Sequence, residues 1–251
     1  MKKFLACVFI LAVFALAIFY IGWTQIRVKP DSMGIVISKT SGIDETPVLN
    51  GKFSWKWQFL LPTNAIIKTF EIKPLNTKKT VSGTLPSGEA YASIFNADKL
   101  FDYSFTFDIS LTVSPQAVLE LVKQNKITDD KDLAEYLEGA AATLAQNAAA
   151  YFLGKAGENA LFRPEAVRRD EILRGIQIYK DFPEIDVTIF ALTDSKLPDF
   201  NMYKKISGMN PQELNLKISA TENKSENQTD NQTKNDNQNQ ISDSLTNSEE
   251  L

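Results

Sequence analysis

The chain is 251 residues long, with 27 Lys+Arg against 31 Asp+Glu, no histidine and one cysteine, Cys7. Without histidine there is no Ser-His-Asp or Cys-His relay, no imidazole zinc ligand and no histidine-bound haem, and a lone cysteine removes internal disulfides, thiolate clusters and redox pairs. The net charge of −4 belongs to the end of the chain: residues 221–251 hold two lysines and seven acids, a net of −5 that leaves +1 elsewhere, and nothing forms the clustered basic field that nucleic acid requires.

Residues 4–23, FLACVFILAVFALAIFYIGW, carry no charge. At ~1.5 Å per residue such a helix is ~30 Å long, the thickness of a bilayer hydrocarbon core. Tyr20 and Trp23 stand at its far end, where amphipathic aromatics favour the headgroup region. The competing reading is a cleaved signal peptide, with Lys2-Lys3 as its n-region and Ala15-Leu16-Ala17 as the small-x-small site. The apolar run continues well past Ala17, which favours a retained anchor, and Cys7 comes too early for a lipoprotein box. Residues 1–3 are then expected in the cytoplasm, with the body outside the cytoplasmic membrane. Cleavage would send the body to the same side.

Residues 25–28 and 33–38 read as short β-rich runs separated by the turn chemistry of Pro30-Asp31-Ser32. Residues 53–59, FSWKWQF, alternate four aromatics with Ser54, Lys56 and Gln58. Period two predicts a strand whose aromatic face packs into the core. The alternative is an aromatic ribbon dipping into the membrane interface, with Trp55 and Trp57 beside Tyr20 and Trp23 as the interfacial residues. Strands are expected over 65–73 and 78–85. The strongest β signal is 101–113, with seven apolar positions on one face and Asp, Ser and Thr on the other, the pattern of a long antiparallel strand with one wet face.

Ser114-Pro115 predicts a helix start, as N-cap and first-turn proline. A second helix is expected from about Asp129 to Leu153, stopped by Gly154, and its small residues include Ala141, Ala145 and Ala148 beside Leu144. Small faces permit close helix approach, so these four are the candidates for self-association, against ordinary packing on the sheet. Arg163-Pro164 opens a further helical stretch in which Arg168, Arg169 and Arg174 alternate with acids, a pattern of solvated faces. A final strand is expected over 185–192. Residues 207–218 form a short connection, and 219–251 lose nearly all apolar residues, as disordered tails do.

Catalytic chemistry finds little footing. Ser38-Lys39 and Ser195-Lys196 lie at strand ends, Gly154 and Gly157 lack a phosphate-loop context, and Asp129, Asp130 and Asp132 suit a helix N-terminus better than a calcium loop. No catalytic, cofactor or metal residue is nominated, and the chain is not expected to be an enzyme.

The order of elements resembles the stomatin/prohibitin/flotillin (SPFH, band 7) family. The residues that carry the resemblance are 28–36 (VKPDSMGIV), Leu49-Asn50-Gly51-Lys52-Phe53 with Leu61-Pro62, and Gly175-Ile176 with 187–192 and Leu197-Pro198. The resemblance implies an α+β architecture: an N-terminal transmembrane helix (4–23), an SPFH-like antiparallel sheet domain with packed helices over 25–206, and a polar tail. It further implies a non-enzymatic single-pass scaffold in the cell membrane that needs no cofactor. Such a scaffold self-associates laterally into homo-oligomers on the lipid bilayer and modulates membrane proteins, a membrane-bound protease among them. The family's long coiled coil has no counterpart here, because too few residues precede the tail for sustained heptads, so a smaller assembly is expected. The other class kept open is an anchored or secreted extracytoplasmic domain that binds a ligand through the aromatic stretch.

Overall fold

The computed structural model describes residues 1–24, 27–94 and 100–209. The expected tail at 219–251, most of the 207–218 connection, and Gln25 and Ile26 lie outside the described residues. The chain divides into two compact units. The first comprises Met1–Val81, Phe105–Phe152 and Arg163–Asp194, and the second Ser82–Ser104, Leu153–Phe162 and Ser195–Leu251. The architecture is α+β.

The first unit begins with helix α1 (Lys2–Gly22), which is apolar on every side and exposed along most of its length. It is long and apolar enough to cross a membrane. Strand β1 (Ser32–Ser38) follows a turn in which Asp31 adopts φ 56° and the Ser32 amide donates to the Lys29 carbonyl. Asp tolerates this left-handed geometry better than most residues, which suits the Pro-Asp-Ser turn. Of the strand expected over 25–28 only Arg27 and Val28 are described, and neither is in a strand: Val28 is buried in a bend, packed with Val36 and Val48. Strand β1 is central to its sheet. It pairs antiparallel with the two-residue strands β2 (Gly42–Ile43) and β3 (Val48–Leu49), and over its full length with β4 (Ala65–Glu71), from Ser32↔Glu71 to Ser38↔Ala65.

A second sheet has the order β5 (Leu75–Thr84), β6 (Asp102–Val113), β7 (Ile185–Lys196). The bonds Thr80–Thr106 and Thr84–Asp102, like Thr188–Ser110 and Thr193–Thr106, pair rising numbers with falling ones, so both ladders are antiparallel. The face of β6 expected to be wet is only partly so. Thr106 and Ser110 are buried; the Thr106 hydroxyl pairs with that of Thr80, and the carbonyls of Thr106 and Ser110 accept from the hydroxyls of Thr193 and Thr188. Along β7, Thr188 and Ile189 are both exposed, so inward–outward alternation slips by one residue, and the Arg169 guanidinium donates to the carbonyls of Val187 and Thr188 there.

Helix α3 (Pro115–Lys123) starts as expected, with the Ser114 hydroxyl accepting from the Ala117 amide at 3.1 Å. Helix α4 (Asp130–Glu158) begins at the acidic cluster, where Asp132 accepts from the Thr128 amide and Asp129 from the Asp132 amide. It does not stop at Gly154. A single glycine costs only about 1 kcal/mol in a helix, and the chain stays helical through Glu158. The four small-residue candidates face inward: Ala141, Leu144, Ala145 and Ala148 are at most 1% exposed. They are spent on packing inside the chain and offer no surface to a second copy. Further along the same helix Phe152 meets Phe105 and Phe107 at 5.6 and 6.0 Å, and Phe107 stacks on Phe190 at 5.1 Å. Each such ring removed from water contributes roughly 1.5–3 kcal/mol. Helix α5 (Arg169–Ile176) ends at Gln177 in the left-handed region, and α6 (Ile178–Asp181) follows.

The second unit holds α2 (Gly88–Ile94), the ends of β5, β6, α4 and β7, and α7 (Phe200–Ser207), which Asp199 caps through the Met202 amide. Its core joins Leu85, Phe101 and Ile206 with Tyr91, Phe200 and Tyr203.

Candidate functional site

The segment 53–59 departs most from expectation, and its departure creates the most distinctive surface of the first unit. Only Trp55 makes a β-bridge, to Trp23, and Trp57–Leu60 is a 3₁₀ turn. The two faces are also exchanged. The polar side chains of Lys56 and Gln58 point in, while Phe53, Trp55 and Trp57 remain 61%, 37% and 48% exposed. Leu60 and Leu61 extend the exposed apolar surface.

The inward turn of Lys56 and Gln58 has a definite cause. Asp44 accepts from Lys56 Nζ at 2.6 Å, from the Thr46 amide at 2.9 Å and hydroxyl at 2.8 Å, and from Gln58 Nε2 at 3.4 Å. Burial raises the Asp44 carboxyl pKa, but the bonds from Lys56 and Thr46 outweigh it and hold the group below its ordinary range. Asn64 extends this cluster, donating to the Gln58 carbonyl and to Thr40 Oγ1, both at 3.2 Å. With those polar groups satisfied inside and Phe59 packed against Val28, Val36 and Val48, Phe53, Trp55 and Trp57 are left outward.

They face the end of α1. The Lys56 amide donates to the Gly22 carbonyl at 2.8 Å, capping an acceptor that the helix end leaves open. The Thr24 amide and hydroxyl both donate to the Ser54 carbonyl at 3.0 Å. Phe53 stacks on Phe19 at 5.8 Å and meets Trp23 at 6.1 Å. Gly22 lies directly against the Trp55 indole, so close that a Cβ there would stand 2.2 Å from Nε1. Arg27 folds back over the joint, its guanidinium 4.4 Å above the Phe59 ring and donating to the Ile21 carbonyl at 3.2 Å. The chain's three tryptophans are all in this junction.

Of the four interfacial candidates, the structure brings Trp23, Trp55 and Trp57 to one place, with Tyr20 exposed on the last turns of α1. Phe19 and Arg27 were not legible as partners, since neither has a spacing that marks it. The available signal was positional: an aromatic run between Gly51 and Pro62, in a protein whose apolar N-terminal run ends in Trp23. Elsewhere, Glu184 accepts from Lys126 Nζ at 2.9 Å and Tyr136 at 3.0 Å. Burial and the Glu184 carboxylate both raise the Tyr136 pKa, and this linkage braces the start of β7 rather than presenting a reactive group.

Fold and junction together define an α+β body bonded and stacked against the end of an exposed apolar helix of membrane-spanning length. No protein-family model matches the chain. It is similar, at 26% identity over 187 residues, to an uncharacterized protein of Treponema pallidum (strain Nichols). The match covers 72% of this chain and 62% of that protein, so the chain spans less than two thirds of its relative's length.

Proposed function

We propose that the protein is a single-pass membrane scaffold of the stomatin/prohibitin/flotillin kind. It holds its body against the outer face of the cytoplasmic membrane, self-associates laterally and modulates membrane proteins, a membrane-bound protease among them, without catalysing a reaction itself. The observation that carries this reading is the welded junction. A helix that only delivered the chain for export would not need its last turn bonded, stacked and capped by residues 30 positions away. Exposed Trp, Phe and Leu around the end of a bilayer-length helix suit the headgroup region, where amphipathic rings are favoured. With the α4 stripe buried, lateral association has to use other surfaces, and the open edge of β5 is one that the topology supports.

Detergent extraction followed by native sizing tests the scaffold reading. An oligomer, or a particle retaining a membrane protein, is expected. A strictly monomeric particle with no companion contradicts it. The exposure of Trp55 and Trp57 also favours a second reading, an extracytoplasmic ligand-binding domain. Trp55→Ser/Trp57→Ser separates the two, since a scaffold loses bilayer contact and a binding domain loses a soluble ligand.

A further inference from the structure

Arg27 is exposed, yet its guanidinium is not free to wander. The Phe59 ring lies beneath it and Nη2 is committed to the Ile21 carbonyl, one residue inside the end of α1. The charge is therefore drawn back along the helix to the level of the aromatic residues instead of extending into solvent. A guanidinium has five N–H donors in a planar fork, and stacking on an aromatic ring leaves its edge open to an anion. Beside it is a cleft of about 190 Å³ lined by Arg27, Lys29, Ser32, Thr69 and the acids Glu71 and Asp130. Those two acids have partners: Asp130 accepts from the Glu71 amide at 2.7 Å, and Glu71 accepts from Lys73 at 2.9 Å. Glu71 also feels the charge of Lys29, so the open edge of the Arg27 guanidinium is the group left to serve an anion from outside.

We propose that Arg27, assisted by Lys29, binds the phosphate of a membrane phospholipid at the joint between helix and body. The proposal rests on the reading of α1 as a membrane span. In that setting the group at the depth of the last helical turn is the lipid phosphate, with acyl chains beside Phe19, Phe53 and Leu60. Guanidinium recognises phosphate through paired, charge-assisted hydrogen bonds, and the neighbouring ammonium adds charge without directional demand. Phosphate held at this point fixes the depth of the whole junction.

The test uses the full chain in mild detergent and native mass spectrometry of retained lipid. Phosphatidylglycerol, phosphate-free galactosyl diacylglycerol and inorganic phosphate are offered separately. The wild type is expected to retain phosphatidylglycerol and not the galactolipid. Arg27→Gln/Lys29→Gln should lower retention about tenfold, the value of a charge-assisted contact pair. Equal retention by this variant, or equal retention of the galactolipid, overturns the proposal. Displacement of phosphatidylglycerol by millimolar inorganic phosphate identifies a soluble-phosphate site and also overturns it. If the double variant does not fold by circular dichroism, Arg27→Lys reads the same question: reduced retention supports the fork, unchanged retention overturns it. Quenching of tryptophan emission by brominated lipid in the wild type reports separately on the membrane seat. A failure of that reading is therefore distinguishable from a failure of the phosphate site.

Discussion

Strand β6 and the segment 53–59 both place aromatic residues at every second position, yet β6 buries Phe105 and Phe107 completely while Phe53 and Trp57 stay 61% and 48% exposed. The difference lies in what meets each face. Strand β6 runs between two other strands, and Phe152 of α4 covers its aromatic side. Segment 53–59 has one bridge, to Trp23, and its polar face finds Asp44 waiting inside. Alternation says that two faces differ; it does not say which is turned in. A partly buried carboxylate that accepts from a lysine and an amide two residues apart draws the polar face inward here and reverses the usual answer.

The sharpest way to break the comparison is to remove one ring from each segment. Phe107→Ala should cost about 3–5 kcal/mol in chemical denaturation, as loss of a fully enclosed aromatic does. Trp57→Ser should change stability by no more than about 1 kcal/mol, since the indole is half exposed. Similar losses at both sites would mean that the 53–59 segment is part of the core after all. Gly22→Val comes next. The added side chain meets the Trp55 indole, and overpacking of this kind costs about 1–3 kcal/mol. The readout is a shift in tryptophan emission with the far-ultraviolet dichroism unchanged.

Acid titration offers a smaller effect with a definite sign. The folded pKa of Asp44 lies below its ordinary value of 3.8. The unfolded chain therefore binds the proton more readily, and the Lys56–Asp44 contribution is present above pH 3.8 and lost as pH falls through the folded pKa. Lys56→Met removes the largest of the bonds that lower the Asp44 pKa and leaves only those from Thr46 against burial. Its thermal midpoint should fall below that of the wild type at pH 6, and the gap should narrow toward pH 3. A gap that widens on acidification contradicts the assignment.

Much of the fold was readable in advance where local chemistry and tertiary context agree. The Ser114-Pro115 helix start, the apolar run that becomes α1, and the alternation of 101–113 all specify their element without help. The readings that failed depended on distant partners. Gly154 looked like a stop, but nothing at that point of α4 requires one, and Phe152 just before it is already locked into the core. The stripe through Ala141, Leu144, Ala145 and Ala148 left ordinary packing and self-association both open from sequence, and in the fold it is buried. Sequence named Trp23, Trp55 and Trp57 as interfacial candidates from residue type and position. It had no means of pairing Phe19 with Phe53 or of folding Arg27 back onto Ile21, because no spacing marks either contact.

Because all three tryptophans lie in the junction, intrinsic fluorescence reports on it alone. The direct test of the account is depth-dependent quenching of the full chain reconstituted in vesicles containing lipids brominated at different acyl positions. Emission quenched most strongly by the shallowest bromines, with Trp57→Ser reducing that component, is the predicted result. Emission that no brominated lipid quenches, but that a soluble quencher in the aqueous phase suppresses fully, would contradict it.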